Sequence, residues 1–203
     1  MTATRNPRFT ATSGRGYSAS HTMPETLGYH VVKTTFGTWL PGDVRGYWSE
    51  AWSAERGFHD AHRFHDEVDP VREEQARGRM KHPATTLTKE MGDVVAASIG
   101  QCIAKSGGGL KVMAAAIEPT HMHLLIPYSG RDIEITAKWL ADQTTKAIHR
   151  QTSHQGPVWS KNNWIRHIFA SEYWENALRY IDDHNVQAGR GSRPYSFLCD
   201  IEL

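Results

Sequence analysis

Two hydrophobic periods alternate along the chain, one typical of strands and the other typical of helices. Short runs that are rich in β-branched and aromatic residues predict strands. They lie at residues 29–36, 110–117, 120–127 and 164–169. Longer segments with apolar residues three or four positions apart predict helices. They lie at residues 88–105, 133–150 and 171–187.

The order of these elements indicates the fold class. The order strand, helix, strand, strand, helix, strand, helix predicts an α+β fold with a ferredoxin-like antiparallel sheet and helices on one face. Thr88 and Ser171 stand where the first and last helices begin, so we expect each to act as an N-cap. Gly189 is expected to end the last helix.

The other segments show less periodicity. Residues 1–24 are rich in Thr, Ser, Gly and Arg and carry no acidic residue, which predicts a flexible basic arm. Residues 25–203 are expected to form a single domain. The charged stretch at about 44–84 is interpreted as an insertion that could contain a short helix.

Composition narrows the class of protein only in part. The 203 residues, 39% of them hydrophobic and 22% charged, suit one globular domain. The two cysteines, Cys102 and Cys199, form no CxxC pair, which favours a reducing cytoplasm. We expect no membrane partner and no signal peptide, because no apolar run approaches the roughly 18 residues of a span and the start is polar. The net charge of +1 neither requires nor excludes nucleic acid, since local patches decide such binding.

A pair of histidines, His121 and His123, flanks Met122 on a predicted strand. Successive side chains of a strand point to opposite faces, so both imidazoles share one face. Met122 and Leu124 would face a core on the other side. The pair alone is a weak signal, but it can offer two ligands to a metal ion.

A second half of a site lies on the last predicted helix. Tyr180 and His184 are four residues apart and therefore neighbours on one helix face. Packed against the strand, that face would bring three imidazoles around one cation and a phenol close to it. Such a site allows phosphoryl transfer on a nucleic-acid strand, with Tyr180 as nucleophile. A free phenol has a pKa near ~10, so a nearby cation or base would assist it.

Several alternatives stay open at this stage. Tyr173 lies seven residues before Tyr180 and is the rival nucleophile, and His184 could instead interact with the carboxyl end of its helix. His167 could lie near the site, but the faces of its strand are not determined. A cluster of three histidines could bind zinc, although a solvated or DNA-facing insertion is favoured. It comprises His59, His62 and His65.

The motifs together resemble those of HUH-type single-tyrosine transposases, and they are most similar to REP-associated tyrosine transposases. Residues 117–126 resemble the HUH motif, and residues 177–189 resemble the tyrosine helix of that family. Taken together, the resemblance covers most of residues 28–198, and it includes further familial segments. They lie at residues 29–31, 37–46, 158–159 and 164–169.

The resemblance implies the HUH endonuclease fold and a metal-dependent endonuclease and strand transferase that acts on single-stranded DNA. The tyrosine of the family becomes linked to a 5′ phosphate and releases a 3′ hydroxyl. His121 and His123 would be metal ligands for Mg²⁺ or Mn²⁺, and Tyr180 the nucleophile. His184 occupies the place of an Asn or Gln ligand, and three imidazoles shift preference from magnesium towards manganese or other transition metals. Asn185 replaces a usual Pro.

We expect a DNA hairpin or folded end as partner, because one small domain has little surface for readout of a long sequence. Subtypes of the family act either as monomers or as homodimers that exchange the tyrosine helix. Basic side chains are candidates for binding phosphates, although a solvated face is favoured for those of the second helix. The candidates are Arg5, Arg8, Arg15, Lys138, Lys146, Arg150, Arg190 and Arg193. Two other functions remain open. One is a hairpin-binding module that no longer cleaves, and the other is a hydrolase in which three imidazoles activate water.

Overall fold

A computed structural model describes residues 25–45 and 68–200, and between them only the backbone of four short strands. The strands are β1 Gly28–Thr34, β2 Tyr47–Ser49, β3 Trp52–Ser53, β4 Gly57–Phe58, β5 Arg63–His65, β6 Ala114–Ile117, β7 His121–Pro127 and β8 Trp164–Ile168. The helices are α1 Pro70–Gly78, α2 Lys89–Lys105, α3 Ile133–Gln151 and α4 Ser171–Gln187.

Four strands form an antiparallel sheet in the order β6-β7-β1-β8. The chain enters through β1, crosses by α2 to β6 and β7, and crosses again by α3 to β8, which is a ferredoxin-like connectivity. The α+β class with an antiparallel sheet is therefore confirmed. Within the register, Val32 lies opposite His123 and His30 opposite Arg166.

One face of the sheet carries α2 and α3, and the main core lies between them. Val31, Met122 and Leu124 of the sheet are at most 1% exposed. They belong to the same cluster as Val95 of α2 and Leu140 of α3. Removing such side chains from water is the main source of stability in a domain of this size.

The opposite face is covered by α4. Leu125 and Ile168 of the sheet pack there against Trp174 and Ile181 of α4. The expectation of helices on one face therefore holds for α2 and α3, whereas α4 lies across the other. The physical reason is that the sheet carries apolar side chains on both faces, since Leu125 and Ile168 need cover on one face as much as Leu124 does on the other.

The helix ends follow local chemistry. Thr88 caps α2, because its hydroxyl accepts from the amide of Met91 at 3.2 Å. Asp132 caps α3 in the same way through Ile135 at 3.0 Å. The prediction that Ser171 caps the last helix is wrong, since Ala170 occupies the N-cap and no side chain bonds there. Ser171 is instead the first helical residue.

The predicted insertion contains a short helix, α1, whose start is capped by Asp69. Before it, β2 pairs with β5 and β3 with β4. His59 and His62 lie outside the described residues, as do Arg5, Arg8 and Arg15. Of the histidine cluster, only the backbone of His65 is described. No helix in the described part combines the length and the apolarity that crossing a bilayer would require.

Candidate metal centre

The two histidines of β7 point to the face that α4 covers. His121 is half-buried and His123 is 5% exposed, whereas Met122 is 1% exposed and belongs to the core between the sheet, α2 and α3. This alternation confirms that both imidazoles share one face. It also follows directly from the pleat of the strand, which sends neighbouring side chains to opposite sides.

Helix α4 brings the third imidazole to the pair. The ligand nitrogens of His121, His123 and His184 all lie within 4.8 Å of one another. The ring centroid of His184 is 4.8 Å from that of His123 and 5.7 Å from that of His121. Metal–nitrogen bonds of about 2.1 Å can hold two ligand atoms up to about 4.2 Å apart. A small side-chain adjustment would therefore bring the three nitrogens onto one ion.

The polar atoms of this cluster fit a metal ion. His123 Nε2 is buried and has no hydrogen-bond partner, which is unusual for a polar atom of the interior. His123 Nδ1 lies 3.0 Å from Nε2 of His30, and His121 Nδ1 lies 3.1 Å from the hydroxyl of Thr120. Both Nδ1 atoms are thus engaged within the protein, and the Nε2 atom of His123 is left for a ligand.

Burial favours the neutral form of His30, His121 and His123. It lowers the pKa of His123 to about 2, assisted by the nearby His121, His30 and His184. The pKa of His30 is lowered to about 4, mainly by burial and to a smaller extent by electrostatic repulsion from Arg166 and His184. The pKa of His121 is lowered by burial and then by His184. Neutral imidazole is the form that binds a metal, because a protonated ring has no free lone pair.

Tyr180 lies beside the three histidines and is open to solvent. Its side chain is 51% exposed, and its ring meets His184 at 4.8 Å and His123 at 5.4 Å, nearly perpendicular to both. The rival tyrosine has different neighbours, since the ring of Tyr173 lies 4.2 Å below the guanidinium of Arg166. The described geometry therefore favours Tyr180 as the phenol of this site.

Sequence reasoning missed His30 and gave no role to Arg166. His30 lies on the inner strand β1 and Arg166 on the edge strand β8, where the two are register partners. His30 also meets Trp164 edge-on at 5.3 Å. Periodicity could have placed His30 on the polar side of β1, opposite Tyr29 and Val31. Its approach to His123 depends on pairing between strands 93 residues apart, which no local pattern contains.

Three of the predicted basic residues lie on α3, across the sheet from the histidines. Lys138, Lys146 and Arg150 are exposed, and Lys138 pairs with Asp142 at 2.6 Å. Their helix packs on the opposite face, so they are far better placed to form a solvated surface than to touch a strand at the histidine site. Contact with phosphate elsewhere stays a prediction.

The two predicted arginines of the C-terminal segment make intramolecular contacts. Arg193 donates to the carbonyl oxygens of Met113, at 2.9 Å, and Cys199, at 2.5 Å. Arg190 forms an ion pair with Glu118 and donates to Asn185 Oδ1 at 3.0 Å. Their role in binding phosphate also stays a prediction, although each guanidinium already has partners within the fold.

Asn185, which stands where the resembled family has Pro, ties α4 to the sheet. It is 1% exposed, and its amide donates to the carbonyl oxygen of Ala115 on β6 at 2.9 Å. It directly follows His184, so this bond fixes the part of α4 that carries the third imidazole. α4 runs past it to Gln187, and Gly189 follows with a φ of 72°. The glycine tolerates that conformation because it has no Cβ.

The fold can be compared with known proteins. No protein-family model matches the chain, and a search of curated proteins finds no match either. Among solved structures, it is similar to a predicted transposase from Deinococcus radiodurans R1, with 15% identity and a TM-score of 0.41 over 86% of this chain and 98% of that one. It is also similar to a REP-associated tyrosine transposase bound to a REP hairpin, with 13% identity and a TM-score of 0.40 over 88% of this chain and 75% of that one. Both are described as transposases.

Proposed function

We propose that this chain nicks and rejoins single-stranded DNA as a metal-dependent, transposase-like enzyme of the HUH type. One observation carries the proposal. Three imidazoles converge on one point, and an exposed phenol, Tyr180, packs edge-on against two of them. The sequence motifs around the same residues support it, because they resemble the HUH pair and the tyrosine helix of such enzymes.

His121, His123 and His184 would hold a divalent ion. When bound, that ion would polarise a phosphodiester and offset the charge that develops on its oxygens. The donor set consists of nitrogen alone, whereas magnesium prefers oxygen ligands. We therefore propose manganese as a better activator than magnesium, with cobalt, nickel and zinc as competitors for the site.

Tyr180 would attack the phosphorus through its phenolic oxygen. A new O–P bond joins the tyrosine to the 5′ phosphate, and the bond from phosphorus to the 3′ oxygen breaks. The phenol gives up its proton to solvent, and the departing 3′ oxygen gains one. Because one phosphoester replaces another, a second 3′ hydroxyl can reverse the reaction and rejoin the strand.

The substrate would be single-stranded DNA, as the sequence resemblance implies, next to a hairpin, because one small domain has little surface for readout of a long sequence. The exposure of Tyr180 is compatible with a large substrate, since a phenol that is 51% exposed can meet a chain of nucleotides. Arg166 offers an exposed positive charge on the same face of the sheet. Two free thiols, Cys102 and Cys199, agree with a reducing cytoplasm as the place of action.

The decisive experiment traps the covalent intermediate. The protein is incubated with end-labelled oligonucleotides that carry a hairpin and a single-stranded flank, in the presence of Mn²⁺, and then denatured. With the label at the 3′ end, which stays on the fragment that carries the 5′ phosphate, we expect a labelled protein adduct that is lost in Tyr180→Phe and kept in the matched control Tyr173→Phe. Cleavage without an adduct would instead support a hydrolase in which the imidazoles activate water. Binding without cleavage would support a hairpin-binding module.

A further inference from the structure

We propose that His30 is a positioning residue that holds His123 in the tautomer able to bind a metal ion. This inference rests on the proposed metal site and adds a residue to it. His30 does not touch the point on which the three imidazoles converge. It acts through His123, as the second partner of a ligating histidine commonly does.

The two rings meet inside the protein. His30 Nε2 lies 3.0 Å from His123 Nδ1, and each side chain is 5% exposed. The ring centroids are 5.2 Å apart with an interplanar angle of 38°. Trp164 packs edge-on against His30 at 5.3 Å, so the acceptor ring is itself held in place. Water has little access to either nitrogen, and the two rings satisfy each other.

The number of protons on the two rings then limits which tautomer of His123 can bind a metal ion. A neutral imidazole carries a single N–H, and one hydrogen bond joins the two rings, so one of them donates and the other accepts. If His123 donates from Nδ1, its Nε2 keeps a lone pair directed at the metal site. If His30 donates instead, the proton of His123 resides on Nε2. That atom is buried with no acceptor and could not bind an ion.

His121 shows the contrast that makes the inference specific. Its Nδ1 faces the hydroxyl of Thr120 at 3.1 Å, and a hydroxyl can either donate or accept. His121 is also half-buried, so water can assist either tautomer. His123 has no such alternatives. The tautomer of His123 therefore depends on His30, and the ability of the three histidines to bind an ion depends on the same hydrogen bond.

Manganese binding tests this role without any assay of activity. Binding of Mn²⁺ to the purified protein is measured by titration calorimetry and by the signal of free Mn²⁺ in electron paramagnetic resonance. We expect His30→Leu to weaken binding by about 10–100-fold, the range found for outer partners of metal ligands. His30→Gln should stay within about threefold of the wild-type protein, because its amide oxygen can accept from Nδ1. His167→Leu is the matched control, since it removes an imidazole from the neighbouring strand on the other face of the sheet.

Two results would overturn the inference. One is wild-type affinity in His30→Leu, and the other is a loss in His30→Gln as large as that in His30→Leu. His123→Ala separates this failure from failure of the proposed metal site. If that variant binds Mn²⁺ as well as the wild-type protein does, His123 is not a ligand and the proposed site is wrong. If His30→Leu does not fold, a loss of affinity of about tenfold or more in His30→Gln would overturn the inference by itself. In addition, ¹⁵N correlation spectra of the metal-free wild-type protein should show His123 protonated on Nδ1, and protonation on Nε2 would contradict the role of His30.

Discussion

Tyr180 and His184 stand one turn apart on α4, with their rings 4.8 Å apart and 87° to each other. The helix repeat accounts for this contact, and the sheet supplies the rest of the site. One face of a single helix thus offers both a phenol and a ligand to the histidines of β7. A change at either position should therefore alter a distinct property of the same site.

The identity of the third ligand should set the metal preference. His184→Gln replaces an imidazole with an amide oxygen, which magnesium accepts more readily. We expect the ratio of Mn²⁺-supported to Mg²⁺-supported adduct formation to fall severalfold in this variant. The measurement compares adduct yield in the two metals at equal concentration, with His167→Gln as the control. An unchanged ratio would show that His184 does not bind the ion.

Arg166 should contribute to binding of the DNA strand. Its guanidinium is exposed, packs on Tyr173 and lies on the same face of the sheet as His30. We expect Arg166→Ala to weaken binding of single-stranded DNA and to reduce the slope of log K against log salt by about 0.7, the value for one phosphate contact. Fluorescence anisotropy over a range of salt measures both quantities.

Lys146→Ala provides the comparison for that experiment. Lys146 is also exposed but lies on α3, across the sheet from the histidines. Its loss should leave the salt slope close to that of the wild-type protein. If the two variants lower the slope equally, the binding surface is not restricted to the face that carries the histidines.

Asn185 should stabilise the fold as well as the site. Asn185→Ala removes a buried donor and leaves the carbonyl oxygen of Ala115 without that partner. We expect the free energy of unfolding to fall by about 1–3 kcal/mol. Chemical denaturation monitored by circular dichroism measures the change. Asn176→Ala, an exposed position on the same helix, should change it by less than about 0.5 kcal/mol, and equal effects would argue against a special role for the buried amide.

Lys33 should make stability depend on pH in the alkaline range. It is 4% exposed, and burial lowers its pKa to about 8 from an ordinary value of 10.5. Between these two pH values the unfolded chain binds more protons than the folded chain, so stability rises with pH. The contribution of this group should amount to about 3 kcal/mol across the window.

The control for this effect is Lys33→Met, which retains much of the volume but cannot titrate. We expect the difference in unfolding free energy between wild type and variant to shift in favour of the wild type as the pH rises from 8 to 10.5. Denaturant titrations at several pH values measure it. A difference that stays constant over that range would show that the amine titrates normally in the folded protein.

Local patterns predicted most of the elements and both pairs of residues that meet in the candidate site. The helices α2, α3 and α4 lie within a residue or so of their predicted ranges, and β6 is the strand whose start differs most, at Ala114 instead of residue 110. The periods of strand and helix also placed His121 with His123 and Tyr180 with His184. These results depend only on backbone geometry within one element.

The cap at Ser171 shows where local chemistry is insufficient. A serine at the start of a helix usually caps it. Here the helix that follows β8 includes Ser171 as its first residue, so Ala170 occupies the N-cap position. Packing of Trp174 and Ile181 on the sheet determines where the helix begins. Burial of two large apolar side chains outweighs one capping bond.

The sequence by itself determined which side chains share a face, because the periods of strand and helix are properties of the local backbone. Only the tertiary structure decided which faces meet. It brought β1 alongside β7 and β8, placed α4 against the histidine face, and so joined His30 to His123 and Arg166 to Tyr173. These contacts follow from burying both apolar faces of one sheet at once, a condition on the whole chain that no single segment contains.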